Sequence, residues 1–202
     1  MPDTAPFLAP DDRGTEILLS IRATFAEKGF NGASMQDLAR AAGISVGSFY
    51  RYFPSKAAIV DALVSLDIAE IDAAMEVIKA APDPRAAVRA ALSDRVREDR
   101  GIDNCLWAEI TAAALRTSDV AGTCRRMEET IATKLTQIFA LISGLSPEVC
   151  AERYGAHARY LILMVKAAAS RSDQSPDPAL DDMILRGLDR VLDEIPSRPA
   201  AG

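Results

Sequence analysis

The sequence predicts an all-α protein: an N-terminal three-helix helix-turn-helix domain plus a larger C-terminal helical domain, about nine helices in total. Three observations predict it. No stretch alternates polar and apolar residues as a half-buried strand does. Apolar residues recur at helical spacing instead, first as Ile17, Ile21 and Phe25 with Leu18 beside them. Helix boundaries are marked by capping and breaking residues throughout the chain.

The first helix carries the Ile17–Phe25 stripe and stops at Gly29. Ser34 opens the second, with Asp37 three residues later as in a capping box, and Leu38, Ala39 and Ala42 form its apolar side. Gly43 ends it by allowing the left-handed backbone of a sharp turn. Ser45 caps a third helix that ends near Phe53, because Pro54 steers its predecessor away from helical backbone. Ser55 caps the fourth, which meets no breaker before Pro82 and runs to about 26 residues. Asp83-Pro84, Ser146-Pro147 and Asp177-Pro178 each set a capping side chain before a proline at the first helical position. Asp103 or Asn104 opens one further helix and Ser118 another, the latter carrying Met127, Leu135 and Phe139 to a stop at Gly144.

The totals exclude several classes. At 202 residues, 49% hydrophobic and 26% charged, the chain reads as soluble and globular. No apolar run reaches the roughly 18 residues of a membrane span. The start, MPDTAPFLAPDDRG, lacks the basic and apolar stretches of a secretion signal, so residues 1–12 read as a frayed tail and the protein as cytoplasmic. Cys105, Cys124 and Cys150 are too far apart for a disulfide framework or a zinc motif, and read as buried free thiols. One histidine, His157, and no paired carboxylate motif argue against an enzyme, a metal or a cofactor. His157 reads as an interface or surface residue.

Net charge is −6, but its distribution matters more than its sum. From Arg13 to Val60 there are six basic residues against three acidic. From Asp61 onward there are 17 basic against 23 acidic. The first segment is suited to a polyanion.

That segment holds the densest constellation in the chain. Phe49 and Phe53, four apart, share one face of the third helix and point to a core with Ile44, Leu38 and Phe25. The other face carries Ser45, Val46, Gly47, Ser48, Tyr50, Arg51 and Tyr52. Gly47 costs a helix about 1 kcal/mol against alanine. Its absent side chain lets the helix lie close against another surface. The tyrosine hydroxyls suit phosphates, and Arg51 suits a phosphate or a base edge. Lys56, in the first turn of the fourth helix, opposes that helix's dipole unless an outside anion sits there.

From about Ile17 to Leu66 the chain resembles the DNA-binding domain of TetR-type (tetracycline-repressor-like) bacterial regulators. The resemblance is carried by Phe25, Gly29-Phe30, the Ser34 cap, Leu38-Ala39, Ala42-Gly43-Ile44-Ser45, Gly47, Phe49-Tyr50, Phe53 and Ser55-Lys56. It implies a homodimer on a near-palindromic double-stranded DNA operator, usually as a repressor released by a small molecule. It implies DNA contacts from Ser34 and Gln36 on the second helix, from the outer face of the third, and from Lys56 as a phosphate-binding lysine. Gln36 and Arg51 sit where the family varies, which makes them candidates for base selection. The expected organisation is then a DNA-binding domain over 13–60, with the fourth helix running on to about 81. An effector-binding and dimerisation domain covers 61–196, and a tail 197–202.

The second domain offers less. Small residues from Val149 to Ala169 and the Leu180–Ile195 apolar stripe predict helix packing across a two-fold axis, through Ala151, Gly155, Ala158, Ile162, Leu180, Ile184, Leu188 and Val191. Trp107, Thr111, Met75, Met127, Phe139, Tyr160 and Met164 are the candidate walls of an effector pocket, suited to a small apolar or aromatic compound. Glu109 reads as a surface acid. A regulator without an effector, working through protein partners, and an activator rather than a repressor are the alternatives.

Overall fold

The computed structural model describes residues 11–97, 102–171 and 177–198, and these form nine α-helices with no strand among them. They are α1 (Asp12–Gly32), α2 (Met35–Ala41), α3 (Val46–Tyr52), α4 (Lys56–Ala80), α5 (Pro84–Arg97), α6 (Ile102–Ala114), α7 (Ser118–Ser143), α8 (Pro147–Ala169) and α9 (Pro178–Asp193). The capping side chains stand where the sequence sets them: Ser34, Ser45, Ser146 and Asp177 each accept a backbone N–H three residues on. Gly29, Gly43 and Gly144 all take positive φ. At the amino end the expected tail is too long. Asp11 caps α1 by accepting the Gly14 N–H at 2.6 Å, so the helix begins at Asp12; residues 1–10 lie outside the described residues.

The chain divides into two compact units, 1–70 with 100–127, and 71–99 with 128–202. This differs from a boundary at residue 60. The reason is α6, which returns to pack on α1 and buries Leu106, Ile110 and Ala113. Arg22 of α1 fixes the arrangement by pairing with Asp103 of α6 at 3.1 Å and standing 3.8 Å from Asp67 of α4. Asp61 of α4 likewise accepts from Thr123 and Arg126 of α7. The core of this first unit is built from Ile17, Leu18, Ile21, Phe25, Leu38, Phe49, Ile59 and Leu63.

The second unit packs α5, α8 and α9 together around Phe139, Ile138, Leu161, Val88, Leu188 and Leu192. Arg85 donates to the carbonyls of Leu192 and Ile195 at the end of α9. Arg89 pairs with Asp189 at 3.1 Å, and Arg97 with Asp182 at 2.9 Å. Ser197 and Arg198 are not tail: the Arg198 N–H donates to Ile142 O at 2.8 Å.

Of the expected interface residues, Gly155, Ala158, Ile162 and Leu188 are buried in this unit's own core, while Ile184 and Val191 pack against it and stay partly exposed. The exposed large apolar side chains of these two helices are Tyr160 and Leu163 on α8, and Leu180 and Met183 on α9. Small residues occur on both faces of α8, so composition did not reveal which one is inward. Ala151 is exposed. The pocket candidates divide between the two units. Trp107, Thr111 and Met127 belong to the first unit, while Met75, Phe139 and Met164 belong to the core of the second, and Tyr160 is at the surface. An open cleft of about 430 Å³ between α5 and α9 is lined by Arg89, Arg97, Asp182, Arg186 and Asp189, and by none of those seven. Of the three cysteines only Cys150 is buried; Cys105 is exposed.

Candidate nucleic-acid interface

The turn between α2 and α3 is locally determined. With Gly43 at φ +67, its N–H donates to Arg40 O and the Ile44 N–H to Ala39 O, both at 3.1 Å. This is the pairing of a Schellman motif, and it satisfies the carbonyls at the end of α2. Ser45 then caps α3 by accepting the Ser48 N–H at 3.1 Å, and its hydroxyl pairs with that of Ser48 at 2.8 Å. Phe49 is fully buried and Phe53 nearly so, with ring centroids 5.6 Å apart. These two rings fix the rotation of the helix about its axis.

The rotation leaves Ser45, Val46, Gly47, Tyr50 and Arg51 exposed on the outer side. Tyr52 is half-buried, its ring 6.4 Å from that of Phe53, so it flanks this face rather than crowning it. A Cβ placed on Gly47 would meet no atom within 4 Å. Nothing inside the protein requires glycine there. Gly47→Ala is therefore expected to raise stability by about 0.5–1 kcal/mol while weakening association with DNA. Chemical denaturation and a binding titration on the same variant check this, and a variant that gains stability and keeps full DNA affinity contradicts the close approach.

On α2, Gln36 is exposed and free to reach outward. Ser34 is exposed but already committed. Its hydroxyl donates to Asp37 and accepts the Asp37 N–H, completing the capping box. A hydroxyl has one hydrogen to donate, and here it goes to the carboxylate of Asp37. Asp37 also receives Lys28 at 2.8 Å, and these hydrogen bonds from Lys28 and Ser34 hold its carboxyl well below the usual range.

Lys56 departs furthest from expectation. Its ammonium donates to Phe30 O at 2.8 Å and Asn31 O at 3.1 Å, and lies 5.5 Å from the centre of the Phe30 ring. Burial lowers its pKa from the ordinary lysine value. Two of its three N–H donors thus hold a turn of its own chain. Glu109, expected as a surface acid, accepts the Phe30 N–H at 3.0 Å. Sequence reasoning missed it because the pairing spans 79 positions.

Residues 17–63 match the model of the bacterial regulatory proteins of the tetR family. That segment is similar to the DNA-binding domain of the TetR family. Relatives include the HTH-type transcriptional regulator EthR of Mycolicibacterium smegmatis, 40% identical over 83 residues, which are 39% of this chain and 37% of that protein. The HTH-type transcriptional repressor KstR2 of Rhodococcus jostii is 42% identical over 52 residues, 26% of each chain. This chain thus spans well under half the length of these curated relatives. The fold likeness extends further. Salmonella enterica GusR superposes with a TM-score of 0.70 over 92% of this chain and 98% of its own, at 22% identity. Among the described residues, no helix is long and apolar enough to cross a membrane, and no three His, Cys, Asp or Glu side chains gather as metal ligands.

Proposed function

We propose that this chain is a DNA-binding transcriptional regulator that acts as a homodimer on a near-palindromic operator. Each protomer sets α3 into the major groove of one half-site. The observation that carries this reading is the outer side of α3: small residues at its start, then Tyr50 and Arg51, all exposed and backed by two buried phenylalanines. Repression, relieved by a small apolar or aromatic effector in the second unit, is the working mode. Met75, Phe139 and Met164, which share the core of that unit, support an apolar site there.

Selection of duplexes from a random-sequence pool tests the DNA reading. The expected result is an inverted repeat with half-site centres one helical turn apart or a multiple of it. Affinity should fall steeply with salt. Failure to retain any duplex at low ionic strength overturns it.

The dimer reading is supported by Leu163 and Met183, which are 62% and 63% exposed on adjoining helices beside Tyr160 and Leu180. The Tyr160 hydroxyl lies 3.8 Å from the Cβ position of Gly187, so the two helices form one apolar surface. Leu163→Glu with Met183→Glu is expected to give monomers at micromolar concentration, with helicity unchanged. Sedimentation reads the outcome, and a double variant that remains dimeric, or a parent that is monomeric, places the interface elsewhere.

A further inference from the structure

Gly29 breaks α1 with φ +72, and the amide that follows turns out of the helical ladder. That amide, the Phe30 N–H, donates to Oε2 of Glu109 on α6 at 3.0 Å. The same turn presents its carbonyls to α4: Phe30 O and Asn31 O accept from Lys56 at 2.8 and 3.1 Å. An anion holds the donor and a cation holds the acceptors. The Phe30 ring, 4% exposed, stacks on Phe25 at 5.6 Å and seats the turn on the core. The backbone angle at Gly29 requires glycine, and a Cβ there would come within 2.9 Å of the Glu109 carboxylate and push it aside.

The position of this turn gives it leverage. Ser34, the cap of α2, follows it by three residues, and Lys56 is the first residue of α4. The turn is therefore tied to both ends of the 34–55 segment that carries the candidate DNA contacts. We propose that Glu109 is a positioning residue for DNA binding. From α6, outside the interface, it holds the Phe30 amide and so the turn whose carbonyls anchor Lys56 at the start of α4. The proposal rests on the DNA-binding reading above and deepens it.

The test compares Glu109→Ala, Glu109→Gln and Glu109→Asp with the parent, using a duplex that the parent selects from a random pool. Glu109→Ala is expected to weaken binding about tenfold. The slope of affinity against salt stays that of the parent, because no phosphate contact is removed. Exchange of the Phe30 amide with solvent should accelerate by at least about tenfold in the same variant. Glu109→Gln keeps an oxygen acceptor and should bind within about threefold of the parent. Where the alanine variant does not fold, Glu109→Asp carries the test. Its carboxylate is drawn back by one methylene, so both affinity and amide protection should fall.

Parent-like affinity in the alanine or aspartate variant, with the Phe30 amide deprotected, overturns the proposal. So does a glutamine variant as weak as the alanine one. A parent that retains no duplex overturns the DNA-binding reading and this role with it, while exchange at Phe30 still reports separately whether the bond exists.

Discussion

Replacing Phe49 with alanine is expected to remove about 3–5 kcal/mol from the stability of the first unit. The ring is fully buried, packs against Phe53 at 5.6 Å, and is the residue that sets which side of α3 faces outward. Truncation deletes apolar area and leaves a cavity that a seven-residue helix between two tight turns has little freedom to close. A domain commonly has about 5–15 kcal/mol to lose, so the change takes much of it. The lone tryptophan, Trp107, lies on α6 within the same unit and so reports its unfolding in denaturant. DNA association should be lost well before global helicity, because the second unit keeps its own core. A midpoint unmoved from the parent would mean that Phe49 is not the anchor of α3.

Arg51→Ala is expected to change which sequences are bound, at a cost of about 1–3 kcal/mol per half-site. The guanidinium is exposed in the last turn of α3 and is of the type that pairs with a guanine edge. Tyr50→Ala is the necessary contrast. Tyr50 is 47% exposed and offers a neutral hydroxyl suited to a phosphate. Its loss should weaken all duplexes alike and leave base preference intact. Repeating the random-pool selection with both variants separates them. If Arg51→Ala recovers the parent's consensus at reduced affinity, the arginine is a backbone contact and base selection rests elsewhere, with Gln36 the next candidate.

How legible was this in the sequence? The helix boundaries were, because caps and stops act over three or four residues. Ser34 with Asp37, Gly43 with Ile44, and Ser45 with Ser48 each close a local hydrogen bond that the order of residues alone dictates. The facing of α3 was legible for the same kind of reason: Phe49 and Phe53 are one turn apart, and only one side of the helix accepts both. Side-chain commitments were not. Ser34 spends its hydroxyl on its own cap, and Lys56 spends its ammonium on carbonyls 25 and 26 residues earlier.

The sequence by itself determined an all-α chain, the helix-turn-helix and the side of α3 that is free. Each of these follows from periodicity and capping, which are short-range. The tertiary structure alone decided that α6 joins the first unit, that Glu109 and Lys56 hold one turn between them, and that Ala158 and Leu188 face inward while Leu163 and Met183 face out. These depend on which distant helices meet. A helix with small or apolar residues on more than one face carries no mark of the neighbour it will choose.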